Sequence, residues 1–181
     1  MTKTNNGSGL KKKRGAVWLM LIVALQLLFL AGIACFHYSA LWVGKEITLQ
    51  TVPVDPRDQL YGDYVQLNYE INSPPSSAWK GAGRQPERGD VVYVLLAENV
   101  KEGDFEVVSV HDQKPSHSAG EVVLKGRVQY ADYGTIRIHY GLEQYFVEEN
   151  TGKALEERAG NLLVHVKVAP WGSAVIERIE L

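Results

Sequence analysis

The sequence predicts a mainly β protein, in which one N-terminal transmembrane helix is followed by a β-sandwich or barrel-like domain with one short helix. Three observations predict it. Residues 16–36 are apolar, broken only by Gln26 and small residues, and about 20 such residues span a bilayer as a helix. From residue 46 onward, short segments alternate apolar and polar side chains with period two, as half-buried strands do. Turn-forming residues separate these segments at the close spacing of a sandwich or barrel.

The chain divides at 14 and 43 into a basic cytoplasmic tail (1–14), a transmembrane anchor (15–43) and an extracytoplasmic β-rich domain (44–181). Residues 1–10 are polar and rich in Gly, Ser and Asn, a composition that leaves a terminus disordered. Lys11, Lys12, Lys13 and Arg14 precede the apolar run and belong on the cytoplasmic side. That places the C-terminal domain across the bacterial inner membrane, in the periplasm or outside the cell. Trp18 at one end of the run, and Tyr38 and Trp42 at the other, suit the two membrane interfaces. A cleaved signal peptide is the rival reading, but its apolar core is only 7–15 residues long. Gly32, Ile33 and Ala34 do offer a small-residue cleavage site, and Cys35 a lipid-bearing thiol. Gln26 is either a tolerated polar residue or one that bonds to a partner helix.

Residues 46–52 form the first predicted strand, with Ile47, Leu49 and Thr51 on one face. Residues 63–71 form the second, with Val65, Leu67, Tyr69 and Ile71 on one face and Tyr64, Gln66, Asn68 and Glu70 on the other. Residues 72–90 are rich in Pro, Gly and Ser and lack periodicity, which marks a long loop, disordered or functional. Residues 91–96 and 105–110 read as a hairpin, as do 121–130 and 135–140. Residues 142–147 continue as extended chain. Residues 150–159 supply the short helix, with Thr151 as its cap and Gly160 as its stop. A last hairpin, 162–168 and 174–181, turns at Pro170, Trp171 and Gly172.

Charge and cysteine content exclude some functions. The net charge is −2, yet the first 14 residues carry five basic side chains and no acidic ones, leaving 14 basic against 21 acidic in the rest. An acidic domain argues against nucleic acid, because phosphate binding needs a basic surface. The one cysteine, Cys35, lies in the apolar run, so the domain is held by its core rather than by disulfides.

The densest candidate chemistry lies in residues 54–71. Asp55 before Pro56 fixes a turn, because its carboxylate accepts nearby backbone N–H groups. Arg57 sits among Asp55, Asp58 and Asp63, and its planar guanidinium can hold a carboxylate bidentately. Clustered carboxylates can also bind a divalent metal or act as general acid and base, but this spacing does not match the calcium loop. His111 and His117 share a loop and could reach one zinc, yet no cysteine pair or third histidine lies nearby. No metal site and no cofactor are expected. His139 and His165 fall on polar strand faces and are expected in solvent. A nucleophile elbow and a phosphate loop are both absent.

Gly62, Asp63, Tyr64, Leu67 and Tyr69 stand at the spacing of the GDYXXLXY signature. Residues 54–58 and 140–147 also resemble that bacterial family, and the similarity covers most of the chain after the apolar run. The resemblance implies a small bacterial membrane-anchored protein and carries over no catalytic or binding residues.

The leading functional reading is a non-enzymatic accessory or binding module for a membrane or envelope partner. It is anchored in the lipid bilayer through 16–36, with a membrane protein as its possible partner. Its candidate binding residues are Asp55, Arg57, Asp58, Asp63, Tyr64 and Tyr69, joined by Glu143 and Tyr145 if residues 143–146 pack beside the signature strand. The alternative is a hydrolase or metal-dependent enzyme using Asp55, Asp58, Asp63 or Glu143. A third reading is a purely structural envelope protein.

Overall fold

The computed structural model describes residues 8–53, 64–101, 103–132, 134–146 and 162–180. It divides into two compact units, Met1–Ser39 and Ala40–Leu181. The helix α1 runs Ser8–Val43 without a proline. Its stretch Val17–Cys35 is long and apolar enough to cross a membrane, and none of it is buried by the chain. A helix suits such a sequence because it bonds every backbone group internally. The basic residues 11–14 lie within α1 rather than ahead of it, so the helix begins inside the segment expected to be disordered.

Among its described residues the second unit holds nine strands: β1 (Lys45–Gln50), β2 (Tyr64–Gln66), β3 (Val91–Glu98), β4 (Phe105–His111), β5 (Glu121–Asp132), β6 (Thr135–His139), β7 (Gln144–Phe146), β8 (Leu163–Val168) and β9 (Ala174–Glu180). They form a three-stranded sheet β1-β8-β9, a four-stranded sheet β4-β3-β5-β6 and the ribbon β2-β7, all antiparallel. The predicted mainly β class holds, with the sheets curling into a half-barrel. The three expected hairpins are β3-β4, β5-β6 and β8-β9.

Period-two alternation decides what is buried. Ile47 pairs with Val166 and Leu49 with Val164, and Val94 lies between Val110 and Leu124. All of these sit at 2 % exposure or less. Where an apolar residue breaks the alternation, a bulge explains it. Leu95 faces Ser109 while Leu96 faces Val107, so Val108 is the extra residue and stands 51 % exposed.

Gly126 in β5 marks a close approach: a Cβ there would press into the Ile138 side chain and the Tyr140 ring. Gly126→Ala should therefore cost about 1–3 kcal/mol by overpacking. Denaturant unfolding of the full chain in detergent would measure it, and an unchanged midpoint would mean that Ile138 and Tyr140 yield freely.

Of four expectations, three need correction and one holds. The signature strand is three residues long; beyond it the chain is extended through Asn68 and turns into a 3-10 helix, Glu70–Asn72. Yet Val65, Leu67, Tyr69 and Ile71 are all buried as the alternation requires. They achieve this by changing partners. Val65 pairs with Tyr145, the Leu67 N–H donates to the Glu143 carbonyl, and Tyr69 bridges to Thr51. Second, and this expectation holds, residues 144–146 pack beside the signature strand, β7 pairing with β2 rather than prolonging the β5-β6 hairpin. Third, loop 72–90 is built rather than loose. A second 3-10 helix, Ser76–Ala78, opens it, and the Lys80 N–H donates to the Val110 carbonyl. Fourth, His165 is not solvated. Its side chain is 13 % exposed, with Nδ1 3.2 Å from Glu46 and Nε2 3.1 Å from Glu180. The short helix expected at 150–159 lies outside the described residues.

Candidate functional site

The β2-β7 ribbon brings the signature stretch and residues 140–146 together. Register places Tyr64 opposite Phe146, Val65 opposite Tyr145 and Gln66 opposite Gln144. Val65 points into the core, and Tyr145 is half-buried against it. Gln66, Gln144 and Phe146 therefore occupy the outward face, and Phe146 is 73 % exposed.

Beneath the ribbon lies a fully bonded polar cluster centred on Glu143, which is 7 % exposed. Its Oε1 accepts from the Tyr140 N–H at 2.7 Å and from Asn72 Nδ2 at 3.0 Å. Its Oε2 accepts from the Gly141 N–H at 2.8 Å and lies 3.3 Å from His139 Nε2. Gly141 adopts a φ of 83°, a backbone conformation that side chains resist, so the turn can fold its N–H onto that carboxylate. Asn72, wholly buried, also accepts the Tyr69 N–H at 2.7 Å and donates to the Ile138 carbonyl at 2.8 Å. The Tyr69 hydroxyl donates to the Leu142 carbonyl at 2.9 Å, and the Tyr140 hydroxyl to the Ile71 carbonyl at 2.8 Å. Burial first, and the Glu143 charge second, push both phenols far above their ordinary range; Arg137 opposes the shift at Tyr140. Both hydroxyls stay protonated and remain donors.

Of the residues the sequence singles out, Tyr69 and Glu143 meet in this cluster, and Tyr145 lies on the inner side of the ribbon. Asp55, Arg57, Asp58 and Asp63 lie outside the described residues. Asn72, Tyr140 and Phe146 escape sequence reasoning. Asn72 reads as the start of a loop, and Phe146 is one aromatic among many. Only the pairing of β7 with β2 sets Phe146 apart.

A second feature is a cleft of about 400 Å³ between loop 79–90 and the ends of β3 and β4, lined by Trp79, Arg84, Gln85, Asp90, Val91 and Asp112 among others. The Trp79 indole N–H donates to the Arg84 carbonyl at 2.9 Å, and the Ala82 N–H to Asp112 Oδ2 at 3.3 Å. Arg84 grips both Asp90 oxygens, at 3.1 and 3.0 Å, and reaches Glu87 at 2.8 Å. The Glu87 N–H, and next the Arg84 charge, hold the Asp90 carboxyl below its ordinary value. The polar groups of this cleft mainly satisfy one another. Elsewhere, His111 Nε2 lies 2.8 Å from Ser109 Oγ. Among the described residues no three His, Cys, Asp or Glu side chains converge as a metal site.

The family model described as GDYXXLXY protein matches residues 26–179. The chain belongs to the GDYXXLXY family. No curated protein and no solved structure matches it. The GDYXXLXY match takes in the C-terminal half of the apolar helix, the signature, β1–β8 and all but the last residue of β9, so the ribbon and its Glu143 cluster fall inside the family's own extent.

Proposed function

We propose that this GDYXXLXY protein is a single-span accessory module of the bacterial inner membrane, with its tail in the cytoplasm and its β domain in the periplasm or outside the cell. It binds a membrane or envelope protein through the outward face of β2-β7. The orientation is supported by Lys11, Lys12, Lys13 and Arg14 ahead of the apolar span. The binding role is supported by one observation above all: Phe146, 73 % exposed, stands beside the outward pair Gln66 and Gln144 on a ribbon flanked by the bonded Glu143 and Asn72. A rigid aromatic with adaptable polar neighbours is the composition that partner surfaces favour. Asp55, Arg57, Asp58 and Asp63 adjoin β2 in sequence, and they are the charged residues nearest to it along the chain. A non-enzymatic role fits Glu143 as placed, since its oxygens already accept from three N–H donors.

The test is co-purification of the full-length protein from its own membranes in mild detergent, with Phe146→Ser beside it. A stoichiometric partner should be retained by the wild type and its recovery reduced about tenfold or more by the variant, as for a central aromatic contact. Equal recovery by both would move the interface elsewhere, and no reproducible partner would count against the binding reading.

A further inference from the structure

We infer that the protein self-associates within the membrane, Gln26 of one copy hydrogen-bonding to Gln26 of a second copy across one face of α1. This rests on the reading that α1 crosses the bilayer. The span Val17–Cys35 is centred on Gln26, with equal lengths of apolar helix on either side. Gln26 is exposed, and nothing in the span is buried by the rest of the chain. A primary amide at the bilayer midplane, without water, is unfavourable unless it finds a donor and an acceptor. The chain supplies neither along the exposed helix surface, where its neighbours are hydrocarbon.

A second copy supplies both. The amide carries two donors and an acceptor, so it is its own complement. Copies inserted the same way are parallel, and residue 26 meets residue 26 at the same depth. The flanking residues suit that contact. Leu19, Ile22, Gln26, Phe29 and Ile33 are spaced three, four, three and four residues apart, the seam of a two-stranded coiled coil. Every apolar member of the seam is more than half exposed. One polar residue at the centre of such a seam fixes register and partner number. Cys35 provides a control. Nine residues beyond Gln26, it lies about 180° around the helix, whereas Ile33 lies about 20° from Gln26.

The experiment uses the full-length protein in its own membranes after an alkaline carbonate wash. Oxidative cross-linking compares the wild type, which carries only Cys35, with Ile33→Cys in a Cys35→Ser background. Energy transfer between labelled copies in lipid vesicles then gives the dissociation constant for the wild type, Gln26→Leu and Gln26→Asn. Ile33→Cys should give covalent dimers and Cys35 should not. Gln26→Leu should weaken association roughly 5- to 30-fold, while Gln26→Asn, which keeps the amide, should stay close to wild type. Unchanged association in Gln26→Leu overturns the inference, as does equal cross-linking through Cys35. So does a chain that stays in washed membranes but is monomeric or linked only to a different protein. Loss of the chain from washed membranes overturns the membrane-spanning reading itself, and the inference with it.

Discussion

Glu143→Ala is expected to destabilise the β domain by about 3–5 kcal/mol, the range for stripping a buried charged partner from its donors. The substitution strands the Tyr140 and Gly141 N–H groups and Asn72 Nδ2 in a site with little access to water. Asn72 also fixes the 3-10 turn after the signature and reaches β6, so the loss spreads to Tyr69 and Ile138. Glu143→Gln is not a safe substitute. Both oxygens accept from N–H donors, and an amide nitrogen placed at either position meets a donor with a donor. Thermal unfolding of the full chain in detergent should show Tm lower by about 10 °C or more for Glu143→Ala. Wild-type Tm in that variant, with function lost, would instead make Glu143 a working carboxylate and restore the enzyme reading.

Tyr69→Ala should cost about 3–5 kcal/mol, as expected when a large aromatic leaves a cavity in a closed core. Tyr69 is 1 % exposed and among the largest fully buried side chains. Tyr69→Phe keeps the ring and loses only the 2.9 Å bond to Leu142, a change of about 1 kcal/mol. Denaturant midpoints of the two variants separate these contributions. If Tyr69→Ala were as stable as wild type, the signature tyrosine would serve contact with a ligand rather than packing. The buried phenol also sets an alkaline limit. Its folded pKa lies above the ordinary value of 10.0, so the folded state holds the proton that the unfolded chain releases. Stability from this group is full below pH 10.0 and falls as pH rises above it, and Tyr69→Phe should lessen that alkaline loss.

The family signature thus carries two kinds of residue. Leu67 and Tyr69 are core, and their alternation with Gln66 and Asn68 made them legible as the inward face of a strand. Glu143 was legible only as part of a second family-like stretch, because a glutamate after Gly141 and Leu142 has the look of a solvated turn. Its burial depends on Asn72, 71 residues away in sequence, and on a turn whose N–H groups converge on it. Phe146 illustrates the reverse. By sequence it belongs to an extended stretch, and it is exposed because β7 is a short ribbon strand whose inner position is taken by Tyr145.

By itself, the sequence determined the apolar helix and its basic flank, the mainly β class, the three hairpins and the inward row of nearly every strand. These follow from local rules: hydrocarbon length against bilayer thickness, period-two alternation and turn chemistry between neighbouring segments. Only the tertiary structure decided that the signature strand breaks into a 3-10 turn, that loop 72–90 is fixed and that His165 lies between two carboxylates, and it made the conditional pairing of residues 143–146 with the signature strand a fact. Each of these depends on a partner distant in the chain. Alternation states which side of a strand is apolar, but the strand it pairs with is chosen by the packing of the whole sheet, where hydrogen-bond donors and acceptors must all be met at once.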